Sequence, residues 1–152
     1  MGQFACSVTI DRPVEDVFAV LTDPTRSPEW SKHSIRGEML THGPPRVGSR
    51  RRTVVRGFGG RGTMESVFEV TEIDPLCAVA LRQVSASWGG SGATRYTFTP
   101  VDDGTRVDWT WELNPEGPMK LFAWPMMALT RRMFQSDLDN LKRLMESDRI
   151  SR

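Results

Sequence analysis

The sequence predicts an α+β domain: an antiparallel sheet of about seven strands, two short helices after the first strand, and a long C-terminal helix. Three observations carry this. Strand-like runs follow one another from residue 34 to residue 113, separated only by turn-forming residues. A first strand and two helix-forming segments precede them. Apolar residues at helical spacing then continue to residue 145.

The first strand is read over residues 4–10, where Phe4, Cys6, Val8 and Ile10 alternate with Ala5, Ser7 and Thr9. Asp11-Arg12-Pro13 opens a helix. Pro13 suits its first turn, Glu15 and Asp16 complement its dipole, and Val14, Val17, Phe18 and Leu21 form a buried stripe. Asp23-Pro24 ends it, because the residue before proline is pushed out of the α region. A second short helix is expected at 28–31, with Trp30 as its apolar contact.

The remaining strands are expected at 34–40, 49–56, 63–73, 78–84, 93–99 and 106–113. Their separators include Gly43-Pro44-Pro45, Asp74-Pro75 and Asp102-Asp103-Gly104. Each connection is too short for a crossover helix, so neighbours run antiparallel. The last strand alternates most clearly, with Val107, Trp109, Trp111 and Leu113 on a dry face and Arg106, Asp108, Thr110 and Glu112 on a wet one. A helix over 118–146 would span roughly 43 Å. Pro125 inside that pattern predicts a kink or a separate short leading helix.

The 152 residues fit one domain, 1–152, and the formal charge of +1 offers no general footprint for nucleic acid or anionic membrane. No segment is apolar enough over a sufficient length to predict integral membrane association, and none reads as a secretory leader. Cys6 and Cys77 have no companions at metal-ligand spacing and suit a reducing compartment. The expectation is a cytoplasmic monomer or small homo-oligomer without cofactor.

The order of elements and several short motifs resemble the START-like helix-grip superfamily, also called SRPBCC, and within it the polyketide cyclase/dehydrase and lipid-transport group. The likeness rests on 10–18 (IDRPVEDVF), Leu21-Thr22-Asp23-Pro24 and Pro28-Glu29-Trp30. Val47-Gly48-Ser49-Arg50, 70–75 (VTEIDP), 96–100 (YTFTP) and 137–142 (DLDNLK) extend it along nearly the whole chain. These are capping, turn and packing residues, so the resemblance speaks for fold more than for function. It implies a sheet curled around the helix with a cavity between them. Strand parity then nominates Val55, Met64, Phe68, Tyr96, Phe98, Trp109 and Trp111 for the wall, and helices and loops add Trp30, Phe58, Trp88, Phe122, Met126, Leu129 and Met133. Aromatic rings and unbranched methionines suit an adaptable apolar pocket.

Two motifs bear on chemistry. The run 57–62 (GFGGRG) matches the dinucleotide fingerprint G-x-G-x-x-G, but a strand follows it where the fingerprint needs a helix, so it reads as a hairpin connection with Phe58 near the cavity entrance. Arg50-Arg51-Arg52 cannot share one strand face. With Arg50 and Arg52 outward, Arg51 points inward and needs an anionic or hydrogen-bonding partner.

Catalytic constellations are scarce. His33 and His42 lack ligand spacing, no nucleophile elbow is present, and Glu65, Glu69, Asp108 and Glu112 fall on the outer face. No catalytic residue and no metal site are assigned. The leading expectation is a binder or carrier of a small hydrophobic molecule such as a lipid, isoprenoid or aromatic polyketide. A cyclase or aromatase using the same cavity, with Tyr96, Arg51 and His33 as helpers, is the first alternative. A co-chaperone-like interaction module is the second.

Overall fold

The computed structural model describes residues 2–57, 61–86 and 90–147. Strand β1 (Gly2–Ile10) leads through a bend into helix α1 (Val14–Leu21), whose first turn holds Glu15 and Asp16. Arg12 closes this corner. Its guanidinium donates to the Met145 carbonyl at 2.8 Å and pairs with Asp16 at 2.8 Å, tying the start of α1 to the far end of the chain. A cation on the last carbonyls of a helix also complements the negative end of its dipole.

Asp23 Oδ1 accepts the Thr25 N–H and starts a 3-10 turn at Pro24–Arg26, which runs directly into α2 (Ser27–Trp30). These pieces carry the chain across the sheet, because β1 and β2 (Ser34–Met39) lie at its opposite edges. The other strands are β3 (Arg50–Arg56), β4 (Thr63–Asp74), β5 (Ala78–Ala86), β6 (Gly90–Val101) and β7 (Gly104–Pro115). The sheet order is β1-β7-β6-β5-β4-β3-β2, antiparallel throughout. Gly37 in β2 permits a close approach: a Cβ there would stand 2.2 Å from the Pro24 carbonyl oxygen.

Register shifts in β2 between Ser34 and Arg36, and in β4 against β5 near Phe68 and Val70, mark the points where the sheet bends. They also change which residues face inward. Phe68 and Val70 are buried at even positions, whereas Ile73, beyond the second shift, packs against the same core at an odd one. The outer face is polar. Glu69 joins Arg50 and Arg82, Arg52 joins Glu38 and Glu65, and Arg95 and Arg106 pair with Glu72 and Asp108. Apart from Arg51, the arginines of β3 therefore lie on a solvated face or at the rim.

The C-terminal segment begins as a 3-10 turn, Gly117–Phe122, and continues as α3 (Ala123–Glu146). Pro125 falls in the first turn of α3, where its missing N–H removes no hydrogen bond, so the break precedes the proline. Leu138, Leu141 and Met145 are fully buried and join Ile10, Val17, Val20 and Val107 in the core. Neither cysteine is paired: Cys6 is buried and Cys77 exposed. Among the described residues, no helix is long and apolar enough to cross a membrane.

The helix should respond unevenly to truncation. Leu138→Ala empties a fully buried site and is expected to cost about 2–5 kcal/mol. Leu129→Ala, on a residue that is 55% exposed, should stay within about 0.5 kcal/mol. Urea unfolding of the two variants checks the difference.

Candidate functional site

The C-terminal half of α3 fills the hollow of the sheet, but its N-terminal half does not. Leu141 and Leu138 are fully buried, Phe134 and Met133 are half-buried, and Leu129 is exposed. The space left between helix and sheet is a cavity of about 400 Å³. Its floor is made by Leu81, Tyr96, Trp109, Trp111 and Leu113 on β5, β6 and β7. Arg51, Thr53 and Val55 of β3 and Met64 and Phe68 of β4 form one side. Trp30, Ser31 and His33 form another, and Leu129, Met133, Phe134 and Asp137 of α3 close it.

The aromatic residues make a connected wall. Tyr96 and Trp109 are opposite one another on β6 and β7, stacked with ring centroids 5.1 Å apart. Phe134 lies 4.7 Å from Trp109 and 5.2 Å from Trp111, and Phe68 meets Trp111 edge-on at 6.0 Å. Trp109 is also held by its indole N–H, which donates to Thr94 Oγ1 at 2.7 Å.

Several polar groups interrupt this wall. Arg51 is only 8% exposed, and one hydrogen bond holds its guanidinium among the described residues, from Nη1 to the Thr22 carbonyl at 3.1 Å. Burial lowers its pKa, which the fields of Tyr96 and Asp23 partly oppose. The Tyr96 hydroxyl has no hydrogen-bond partner among the described residues, and burial pushes its pKa well up, so the phenol keeps its proton. The indole N–H groups of Trp30 and Trp111 are buried without an acceptor among the described residues. In a close-packed interior such donors are uncommon and each carries a desolvation cost.

Asp137 is the polar group that sequence reasoning did not single out. It is 2% exposed, accepts the Ser31 hydroxyl at 2.8 Å, and stands 3.8 Å from His33 Nε2. Burial raises its pKa, and Ser31, His33 and the Lys32 N–H offset part of that rise. A signal was present. Leu129, Met133, Asp137, Leu141 and Met145 follow one another at intervals of four, so this acid interrupts the apolar row of the helix.

Of the residues nominated from sequence, Trp30, Arg51, Val55, Met64, Phe68, Tyr96, Trp109, Trp111, Leu129 and Met133 line the cavity. Phe98 does not. It shares the inward face of β6, but further along the strand α1 covers it, and its ring meets Phe18 at 5.1 Å as part of the core. Phe122 does not either. It lies in the 3-10 turn before α3, outside the helical phase assumed for it, and is 60% exposed. Phe58, Trp88 and the side chain of Met126 lie outside the described residues. Gly57 donates its N–H to the Gly62 carbonyl at 3.1 Å and β4 starts at Thr63, so no helix N-terminus follows the glycine run.

Residues 1–146 match the family model described as "Polyketide cyclase / dehydrase and lipid transport", and the chain belongs to this family of the SRPBCC group. Solved structures agree on the fold. The protein TTHA0849 from Thermus thermophilus superposes with a TM-score of 0.78 at 19% identity, covering 93% of this chain and 95% of its own. A START superfamily protein from Mycobacterium smegmatis gives 0.73 at 14% identity, covering 96% and 95%. The di-domain ARO/CYC protein StfQ of the steffimycin biosynthetic pathway gives 0.73 at 16% identity, covering 98% of this chain and 46% of its own. No curated protein sequence matches the chain.

The raised pKa of Asp137 has a consequence for stability. Its folded form binds a proton more tightly than its unfolded form, so the native state loses stability as pH rises from the ordinary value of 3.8 through the raised one. Asp137→Asn keeps an acceptor for Ser31 but cannot ionise. Urea midpoints measured from about pH 4 to pH 7 should therefore fall for the wild type relative to the variant. Parallel profiles would contradict the assignment.

Proposed function

We propose that this domain binds a small hydrophobic molecule that carries an oxygen acceptor, holding it between the sheet and α3 without changing it chemically. One observation supports this reading above the others. An aromatic and aliphatic wall surrounds a space of about 400 Å³, and the buried Arg51 on that wall has one neutral carbonyl as its hydrogen-bond partner among the described residues. Such a cavity takes apolar ligand surface out of water, and roughly 200 Å² of it is worth about 5 kcal/mol before the costs of association. Arg51, which lines the cavity with one carbonyl as its hydrogen-bond partner among the described residues, would then meet a carbonyl or carboxylate of the bound molecule. Lipids, isoprenoid acids and aromatic polyketides all fit this description.

A second reading has an observation of its own. Tyr96 and Asp137 border the cavity, and burial favours the protonated form of both. Proton donors beside a water-poor pocket are what a cyclase or dehydrase needs, with orientation of the chain supplying much of the rate. Mass spectrometry separates the two readings. Native spectra of gently purified protein identify a bound molecule, and re-equilibration followed by release and chromatography shows whether it returns unchanged, as an isomer of the same mass, or lighter by one water.

For the binding reading, Arg51→Met is the informative variant. Affinity for dodecanoic acid should drop roughly 10- to 100-fold, the range for a charge-assisted hydrogen bond, while the methyl ester should lose much less. Equal affinities of wild type and variant for the acid would remove Arg51 from the site.

A further inference from the structure

We propose that the surface around the start of α3 docks this domain onto a lipid bilayer carrying anionic headgroups. Four large apolar residues are exposed between positions 121 and 129: Leu121 is 83% exposed, Phe122 60%, Trp124 82% and Leu129 55%. The other exposed large apolar residues among those described, Ile35, Leu40, Val47, Leu76 and Val101, are single aliphatic side chains scattered along the sequence. Scattered exposure is ordinary, but a run of tryptophan, phenylalanine and leucine within nine positions is not.

Charge selects the partner. Residues 117–132 contain Lys120, Arg131 and Arg132 and no acidic residue, in a protein whose net charge is only +1. The acids of the helix begin further on, at Asp137, Asp139 and Glu146. Trp124 and Arg131 are seven positions apart and so share a helix face. Arg131 is fixed against the sheet by a hydrogen bond from its Nε to the Ala5 carbonyl at 3.2 Å. Apolar and aromatic side chains bordered by cations are the composition of a surface that sits at the boundary of headgroups and acyl chains.

Two features favour a bilayer over another protein. Leu121 and Phe122 stand in the 3-10 turn and Trp124 in the first turn of α3, and fluid hydrocarbon conforms to each without a preformed groove. Pairing with a second copy through this segment would bring two patches together whose charged residues within 117–132 are all cations, which is repulsive. Leu129, exposed and also on the cavity wall, lies on another face of α3 than Trp124 and Arg131, so the patch borders the cavity at this residue. The docking surface itself stands whether or not the cavity takes the ligand proposed above.

Flotation of delipidated protein with vesicles tests it directly. Wild type should float with phosphatidylcholine vesicles containing one-third phosphatidylglycerol, and much less with phosphatidylcholine alone. Trp124→Ser should weaken binding about tenfold. Removing Lys120 and Arg132 together as serines should weaken it at least tenfold, at about fivefold per charge, and should blunt its salt dependence. Val47→Ser, on a residue exposed elsewhere, should bind as wild type. Wild type that stays in solution, or patch variants that float unchanged, would overturn the proposal. So would a concentration-dependent dimer that Trp124→Ser dissolves, which would assign the patch to a second copy. Circular dichroism and melting curves matching wild type confirm that each variant folds.

Discussion

Trp109 is the joint on which the interior is assembled. Its ring stacks on Tyr96 across the strand pair, meets Phe134 of α3, and stands edge-on to Trp30 of α2. Its N–H, spent on Thr94, fixes the rotamer that lets it face all three. One side chain thus sets the distance of the long helix and of the short one from the sheet. A smaller residue there would let α3 settle onto β7 and close the space beside it. The cavity exists because bulky rings prop the helix away from the strands at its N-terminal half, while Leu138, Leu141 and Met145 draw it in at the other.

The two ends of α3 accordingly do different work. Toward Glu146 the helix is locked: Arg12 donates to the Met145 carbonyl, Glu146 accepts the Asp11 N–H at 2.8 Å, and Lys142 donates to the Thr9 carbonyl at 2.7 Å. Asn140 donates to the carbonyl of Trp30 at 2.7 Å, and Asp137 receives Ser31, so α2 is held from the same helix. Before Phe134, Arg131 donates to the Ala5 carbonyl, its own carbonyl accepts the Cys6 thiol, and Met127 lies against Gly2. In this earlier stretch Leu129 is both exposed and part of the cavity wall.

Much of this architecture is legible in the residues. Alternation along β7 showed which of its side chains face inward, and the triplet of arginines singled out Arg51 because a strand has only two faces. Where legibility failed, the cause was a change of phase. Phe122 falls at helical spacing with the residues after it, but the segment leading into α3 is a 3-10 turn and leaves it exposed. Phe98 faces inward as its parity requires, yet facing inward does not distinguish a cavity wall from a core, because the covering residue, Phe18, comes from a distant part of the chain. Asp137 escaped notice for a related reason. An acid in an apolar row reads as an exception until Ser31 and His33, more than a hundred positions away, are seen to meet it.

The electrostatics of the cavity follow from one asymmetry. A fully apolar pocket would have been cheaper to build, since each buried donor without an acceptor costs roughly 1–3 kcal/mol. Arg51 is costlier still, because the Thr22 carbonyl is a dipole and not a counter-charge. Asp137, the acid on the wall among the described residues, is engaged with Ser31 and His33 and does not form an ion pair with Arg51. Arg51 therefore feels the field of Asp23 without an ion pair among the described residues, and Asp137 is satisfied by Ser31 and His33 instead. A fold under selection for stability alone would pair them or replace both with apolar side chains. Their separation makes sense when a third party completes the circuit, with an acceptor for Arg51 and apolar bulk against the rings of Trp109, Trp111 and Phe134.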